Sequence, residues 1–139
     1  MKISLFFVVC ALLLISLIHV YWAFGGRWGA NVAVPIKKGS LEPVFMPRKI
    51  GTLLVALLLV LAALLLVIQG IYLANVQEFT FFSLGCTVCA VLFLLRAIGD
   101  FKYVGFFKKI KHSQFARNDT RFYSPLCLLI AAEYLFVLL

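Results

Sequence analysis

Long apolar runs separated by short polar, basic interruptions set the rhythm of this chain. Ile3 to Ala23 is interrupted only by Ser4, Ser16 and His19, and at 1.5 Å per residue a run of about 20 residues crosses a bilayer core of ~30 Å. Lys2 would suit the charged start of a signal peptide. The run is longer than a typical signal core, no small-x-small cleavage site follows, and Phe7-Val8-Val9-Cys10 is a poor lipoprotein box, so it reads as a retained helix. Residues 51–73 form a second run, almost pure Leu, Val and Ala until Gln69, with no polar seam. A polar turn at Asn75–Glu78 leads to a third, 79–98, and so short a turn makes helices two and three antiparallel neighbours. Ser124-Pro125 reads as an N-cap followed by proline at the first helical position, opening a fourth run over 125–139. Those 15 residues reach only about 22 Å. The pattern therefore predicts one all-α domain over 1–139, an integral membrane four-helix bundle with spans at about 3–23, 51–73, 79–98 and 125–139.

Between the runs lie two longer connections. The first, from Gly25 to Lys49, is punctuated by glycines and by Pro35, Pro43 and Pro47, yet carries Val32, Val34, Ile36, Leu41, Val44, Phe45 and Met46. So apolar a loop is expected to lie on the membrane or pack beneath the bundle. The second, between helices three and four, is basic and expected to be partly helical. Its Phe106-Phe107-Lys108-Lys109-Ile110-Lys111-His112 stretch suits a short interfacial helix on anionic lipid.

Composition agrees with the pattern: 65% of the 139 residues are hydrophobic and the mean hydropathy is +1.11, well above soluble domains at about 45–50% apolar. The formal charge of +8 would suggest nucleic acid in a soluble chain, but in a membrane protein it marks loops that collect Lys and Arg. Twelve of the thirteen basic residues fall in the two connections or at the helix ends beside them, and only Lys2 lies elsewhere. The positive-inside rule places both connections in the cytoplasm and both termini outside, in a plasma (inner) membrane, with anionic lipid as partner and no nucleic acid.

The candidate chemistry gathers at the basic end. His19, Trp22, Arg96, Asp100, Lys108, Asp119, Arg121 and Tyr123 all fall near that level. Ionisable groups at membrane depth are costly unless paired or lining a polar cavity. Arg96 and Asp100 are four apart, so they share a helix face and are expected to pair. The plain alternative is that these charges snorkel and the aromatics anchor the interface. Cys86 and Cys89 form a Cys-x-x-Cys in an apolar run, where burial as small hydrophobes outweighs thiol redox chemistry. Gln69 and Glu133 are intramembrane polar residues, and Glu133 is expected to make an interhelical hydrogen bond to a polar group such as Gln69 or Thr87, in preference to standing protonated or lining an ion or proton path. No zinc spacing, phosphate loop or nucleophile elbow is present, so no metal site is expected and no cofactor is named.

His19-Val20-Tyr21-Trp22-Ala23-Phe24-Gly25-Gly26, Arg96-Ala97-Ile98-Gly99-Asp100-Phe101, Asp119 and Tyr123-Ser124-Pro125-Leu126 occur in that order. In this the chain resembles the small, largely bacterial four-helix membrane family known as domain of unknown function 3995. The resemblance spans essentially the whole chain, implies the four-span architecture and brings no activity with it. The expected function is a cytoplasmic-side basic pocket or docking surface for an anionic lipid headgroup or a partner protein, with Arg96, Lys108 and Arg121 supplying charge and His19, Trp22 and Tyr123 the wall. The alternatives are a membrane enzyme using His19 with Asp100 or Asp119, or thiols at Cys86 and Cys89, and a small transporter acting as a dimer, a homo-oligomer of two copies.

Overall fold

Leu, Ala and Val without internal proline build helices throughout, and the computed structural model, which describes residues 2–73 and 81–139, is all-helical apart from one isolated bridge between Ile36 and Pro43. In chain order the helices are α1 (Lys2–Ala23), the single turn α2 (Ala30–Ala33), α3 (Lys49–Val67), α4 (Phe81–Ile98), α5 (Gln114–Asn118) and α6 (Ser124–Phe136). The expected turn at Asn75–Glu78 lies outside the described residues. Among the described residues three stretches are long and apolar enough to cross a bilayer: Ile3–Ala23, Lys49–Tyr72 and Phe81–Ile98. The fourth expected span is represented by α6, of only 13 residues.

α1 packs chiefly on α3 and α4 on α6, and contacts between α3 and α4 and between α1 and α6 join the two pairs. The core at their centre holds Leu5, Leu12, Ala62, Ala63, Leu66, Cys86, Ala90, Ile130 and Tyr134. Small alanine side chains on α3 and α4 let the backbones approach. Single polar side chains then stitch neighbours together. Ser16 Oγ donates to the Ala56 carbonyl at 2.8 Å, and Tyr134 OH to that of Ala62 at 2.7 Å. Ser83 Oγ donates to Gln69 Oε1 at 3.4 Å, and Cys86 Sγ to the Leu65 carbonyl at 3.7 Å. Because 83 faces 69 and 86 faces 65, α3 and α4 run antiparallel. Each such bond contributes about 0.6–2 kcal/mol in a membrane. Outside them, Leu14, Leu17, Leu54, Leu57, Leu58, Leu61, Leu84 and Leu92 are exposed, a larger apolar surface than a water-soluble monomer presents.

The last helix departs from expectation. Ser124 is helical (φ −69°, ψ −43°) and is no N-cap. The helix has already begun at Gln114, capped by Ser113 Oγ, which accepts from the Ala116 N–H at 3.0 Å. It runs to Phe136 through a wider π turn at Asp119–Tyr123, where the Ser124 N–H donates to the Asp119 carbonyl five residues back. Proline explains the local change of register. Pro125 has no N–H for the Arg121 carbonyl and its ring crowds that oxygen, so the regular ladder cannot continue there. α3 ends in a second π turn, Ile68–Tyr72.

Candidate functional site

The π turn sets the geometry of the basic end. Bonds spanning five residues bring positions i and i+5 onto one face, and Asp119 and Ser124 are both completely buried. Asp119 faces the end of α4. There the helix stops at Ile98, and the chain reverses through Gly99 (φ 89°) and Gly105 (φ 88°). A Cβ on Gly99 would strike the Val104 carbonyl and one on Gly105 the Ile98 carbonyl, so only glycine permits this pinch. The Phe106 N–H donates to the Ala97 carbonyl at 2.9 Å and closes it.

Three donors converge on Asp119. Arg96 Nη2 donates to Oδ1 at 2.9 Å; the Gly105 N–H and Lys108 Nζ donate to Oδ2 at 2.7 and 2.9 Å. Lys108 Nζ also donates to the Gly105 carbonyl at 2.8 Å and to Thr120 Oγ1 at 2.6 Å, which uses all three ammonium protons. Burial works to raise the Asp119 pKa, but the Lys108 hydrogen bond and the Arg96 charge outweigh it and hold the carboxyl below its ordinary 3.8. A carboxylate so occupied cannot serve as a base, and an ammonium with three bonds cannot grip a ligand.

Three expectations are corrected here. Arg96 pairs with Asp119, not Asp100, because Asp100 lies beyond the end of α4 and the four-residue spacing no longer places it on the helix face. Asp100 Oδ1 instead accepts from the N–H groups of Lys102, Tyr103 and Val104 at 2.9, 2.7 and 2.9 Å. Its slight burial raises its pKa, and these N–H bonds, led by that of Val104, more than reverse the effect. Lys108 is not an open cation but the buried partner of Asp119. The stretch from Phe106 to His112 is likewise irregular, with one turn at Phe106-Phe107, and not an interfacial helix, since it is drawn inward at Lys108. Within the second connection helix appears only from Gln114 onward.

His19 and Trp22 form a separate group on α1. His19 Nδ1 lies 2.8 Å from the Ile15 carbonyl, to which it can only donate, and its ring meets Trp22 edge-on at 5.3 Å. Trp22 Nε1 donates to the Trp28 carbonyl at 2.8 Å. Among the described residues no hydrogen bond or ion pair joins His19 to Asp100 or Asp119. Tyr123 bridges the two connections: its OH donates to the Val32 carbonyl of α2 at 3.3 Å, and its ring lies against Phe115. The first connection thus packs beneath the bundle on α5, while Leu41, Phe45 and Met46 stay exposed. Arg121 points outward beside exposed Phe122.

At the other end, Glu133 accepts from Ser4 Oγ at 3.2 Å. It is a helix-to-helix bond whose polar partner is Ser4 of α1, while Gln69 Oε1 accepts from Ser83 Oγ and the Thr87 hydroxyl donates to the Ser83 carbonyl. Cys86 is in the core and Cys89 packs against it, both as free thiols. No group of three or more His, Cys, Asp or Glu side chains converges among the described residues.

Gly105, Thr120 and Ser124 belong to the site and were not foreseen. The glycines flanking Asp100 carried a signal in their spacing; Thr120 and Ser124 carried none, because their placement depends on the π turn. Among the described residues two buried side-chain atoms remain unpartnered, Arg96 Nη1 and Ser124 Oγ. No curated protein and no solved structure matches the chain. The family model described as protein of unknown function (DUF3995) matches residues 12–134, a stretch that takes in His19, the glycine pinch, Asp119 and the π turn, and the chain belongs to that family.

Proposed function

We propose that the chain is a four-span plasma-membrane protein, termini outside, whose basic cytoplasmic end docks anionic lipid headgroups. One observation carries this reading: the cations left over once the buried network and the Lys37–Glu42 pair are assigned. Arg27, Lys38, Arg48, Lys49, Lys102, Lys109, Lys111, Arg117 and Arg121 are exposed, and none has a carboxylate within ion-pair distance among the described residues. They stand among exposed Phe24, Trp28, Phe45, Phe107 and Phe122. Cations interleaved with aromatic rings suit a headgroup layer, where each Lys or Arg near an anionic surface contributes about 1 kcal/mol. The buried network supports that surface by tying the loop to α4 and α6, so that the open cations stand on a fixed base.

The test is lipid retention by native mass spectrometry, with detergent-purified protein offered equal phosphatidylglycerol and phosphatidylcholine. The wild type is expected to retain phosphatidylglycerol preferentially, and a Lys102→Gln, Lys109→Gln, Lys111→Gln, Arg121→Gln variant to lose the preference. Equal retention of both lipids by the wild type would refute the reading.

A further inference from the structure

Phe101 has φ 61°, the sole positive value among the described non-glycine residues. A bulky side chain rarely occupies that region, and backbone strain of this kind persists where the surroundings impose it. Here the surroundings do. Asp100 gathers the N–H groups of residues 102 to 104, Gly99 and Gly105 pinch the base, and Lys108 and Asp119 bolt that base to the bundle. The result of so much fixing is an outward-facing ring. Phe101 is 58% exposed and Phe107 63%, with ring centroids 6.3 Å apart, and Lys102 and Lys109 beside them are exposed as well. Packing inside the protein does not account for a strained backbone that presents aromatic surface to the outside.

We infer that Phe101 and Phe107 form a rigid aromatic anchor that inserts into the headgroup–acyl boundary of the membrane, and so holds Lys102 and Lys109 at the level of the lipid phosphates. The occupant of this surface is the bilayer itself. The loop follows directly on α4, a helix apolar enough to span, and its lysines complement anionic headgroups while aromatic rings favour the interface. The inference rests on the membrane reading above and names the element that makes the contact.

The experiment places Phe107→Trp in lipid nanodiscs and reads its fluorescence as the difference from the parent protein, which contributes Trp22 and Trp28. The added emission is expected to be blue-shifted, quenched by lipids brominated near the glycerol end of the chains and shielded from acrylamide. Emission at the wavelength of free tryptophan, open to acrylamide and untouched by bromolipid, would overturn the anchor. Discs of pure phosphatidylcholine separate the two proposals. Insertion there as well upholds the anchor whatever lipid retention shows, and absence of insertion in both neutral and anionic discs overturns it while leaving retention to judge the headgroup reading. A second variant, Phe101→Gly, is expected to raise the melting temperature by relieving the backbone, and to weaken bromolipid quenching of the Trp at 107. A fall in melting temperature would show that the ring serves internal packing and would also overturn the anchor.

Discussion

Asp119 accepts hydrogen bonds from α4, from the turn at Gly105 and from Lys108, so a single carboxylate fastens three segments of chain. Removing its charge leaves Lys108 buried without compensation, a situation that costs about 3–5 kcal/mol. Asp119→Asn is therefore expected to destabilise the protein far more than Lys109→Gln, which removes an exposed charge, as thermal melting in detergent would show. Lys108→Met combined with Asp119→Leu should cost less than the sum of the two single changes, because both remove the same interaction. The pH dependence follows from sign. Asp119 and Asp100 are held below 3.8 in the folded state, so the stability they confer is complete above that value and is lost as the pH falls through their lower folded pKa values. Melting temperature should accordingly drop below about pH 3.8, and Asp119→Asn should flatten the drop. Ser124→Ala makes the opposite case. Its hydroxyl is buried and unpartnered, so deleting it should leave stability unchanged or raise it.

Helices and turns were legible to different degrees, for physical reasons. The three long apolar runs announce their helices because hydrophobic length alone decides them. The Ser124-Pro125 signal misleads: proline is tolerated at a helix start, but it also fits after a π turn, and only the tertiary burial of Asp119 and Ser124 on one face selects the second. The Arg96–Asp100 spacing misleads similarly, since a four-residue rule holds only while the helix continues and Gly99 ends it. Asp119 and Lys108 were each legible as charged residues of the basic segment, whereas nothing in their spacing paired the two. Two glycine substitutions test the loop. Gly105→Ala, which places a Cβ against the Ile98 carbonyl at a positive φ, should destabilise by more than 1 kcal/mol. Gly51→Ala, in α3 with open space around it, should stabilise by about 0.5–1 kcal/mol.

Over the whole molecule, Tyr123 and α2 bring both connections to one end of the bundle, so twelve of thirteen basic residues share it. That asymmetry predicts orientation: with the native cysteines replaced, a cysteine at Asn75 should react with an impermeant reagent applied to intact cells, and one at Ser113 should not. The reverse pattern would put the basic end outside. The claim that this end engages anionic lipid is tested most directly by melting the protein in nanodiscs of increasing phosphatidylglycerol content. A ligand that binds the folded state raises its stability in proportion to the logarithm of its concentration above Kd. The melting temperature of the wild type should rise with phosphatidylglycerol, the rise should shrink in high salt, and the variant lacking Lys102, Lys109, Lys111 and Arg121 charges should show little of it. A wild-type melting temperature indifferent to phosphatidylglycerol, or a rise fully retained by that variant, would contradict the account.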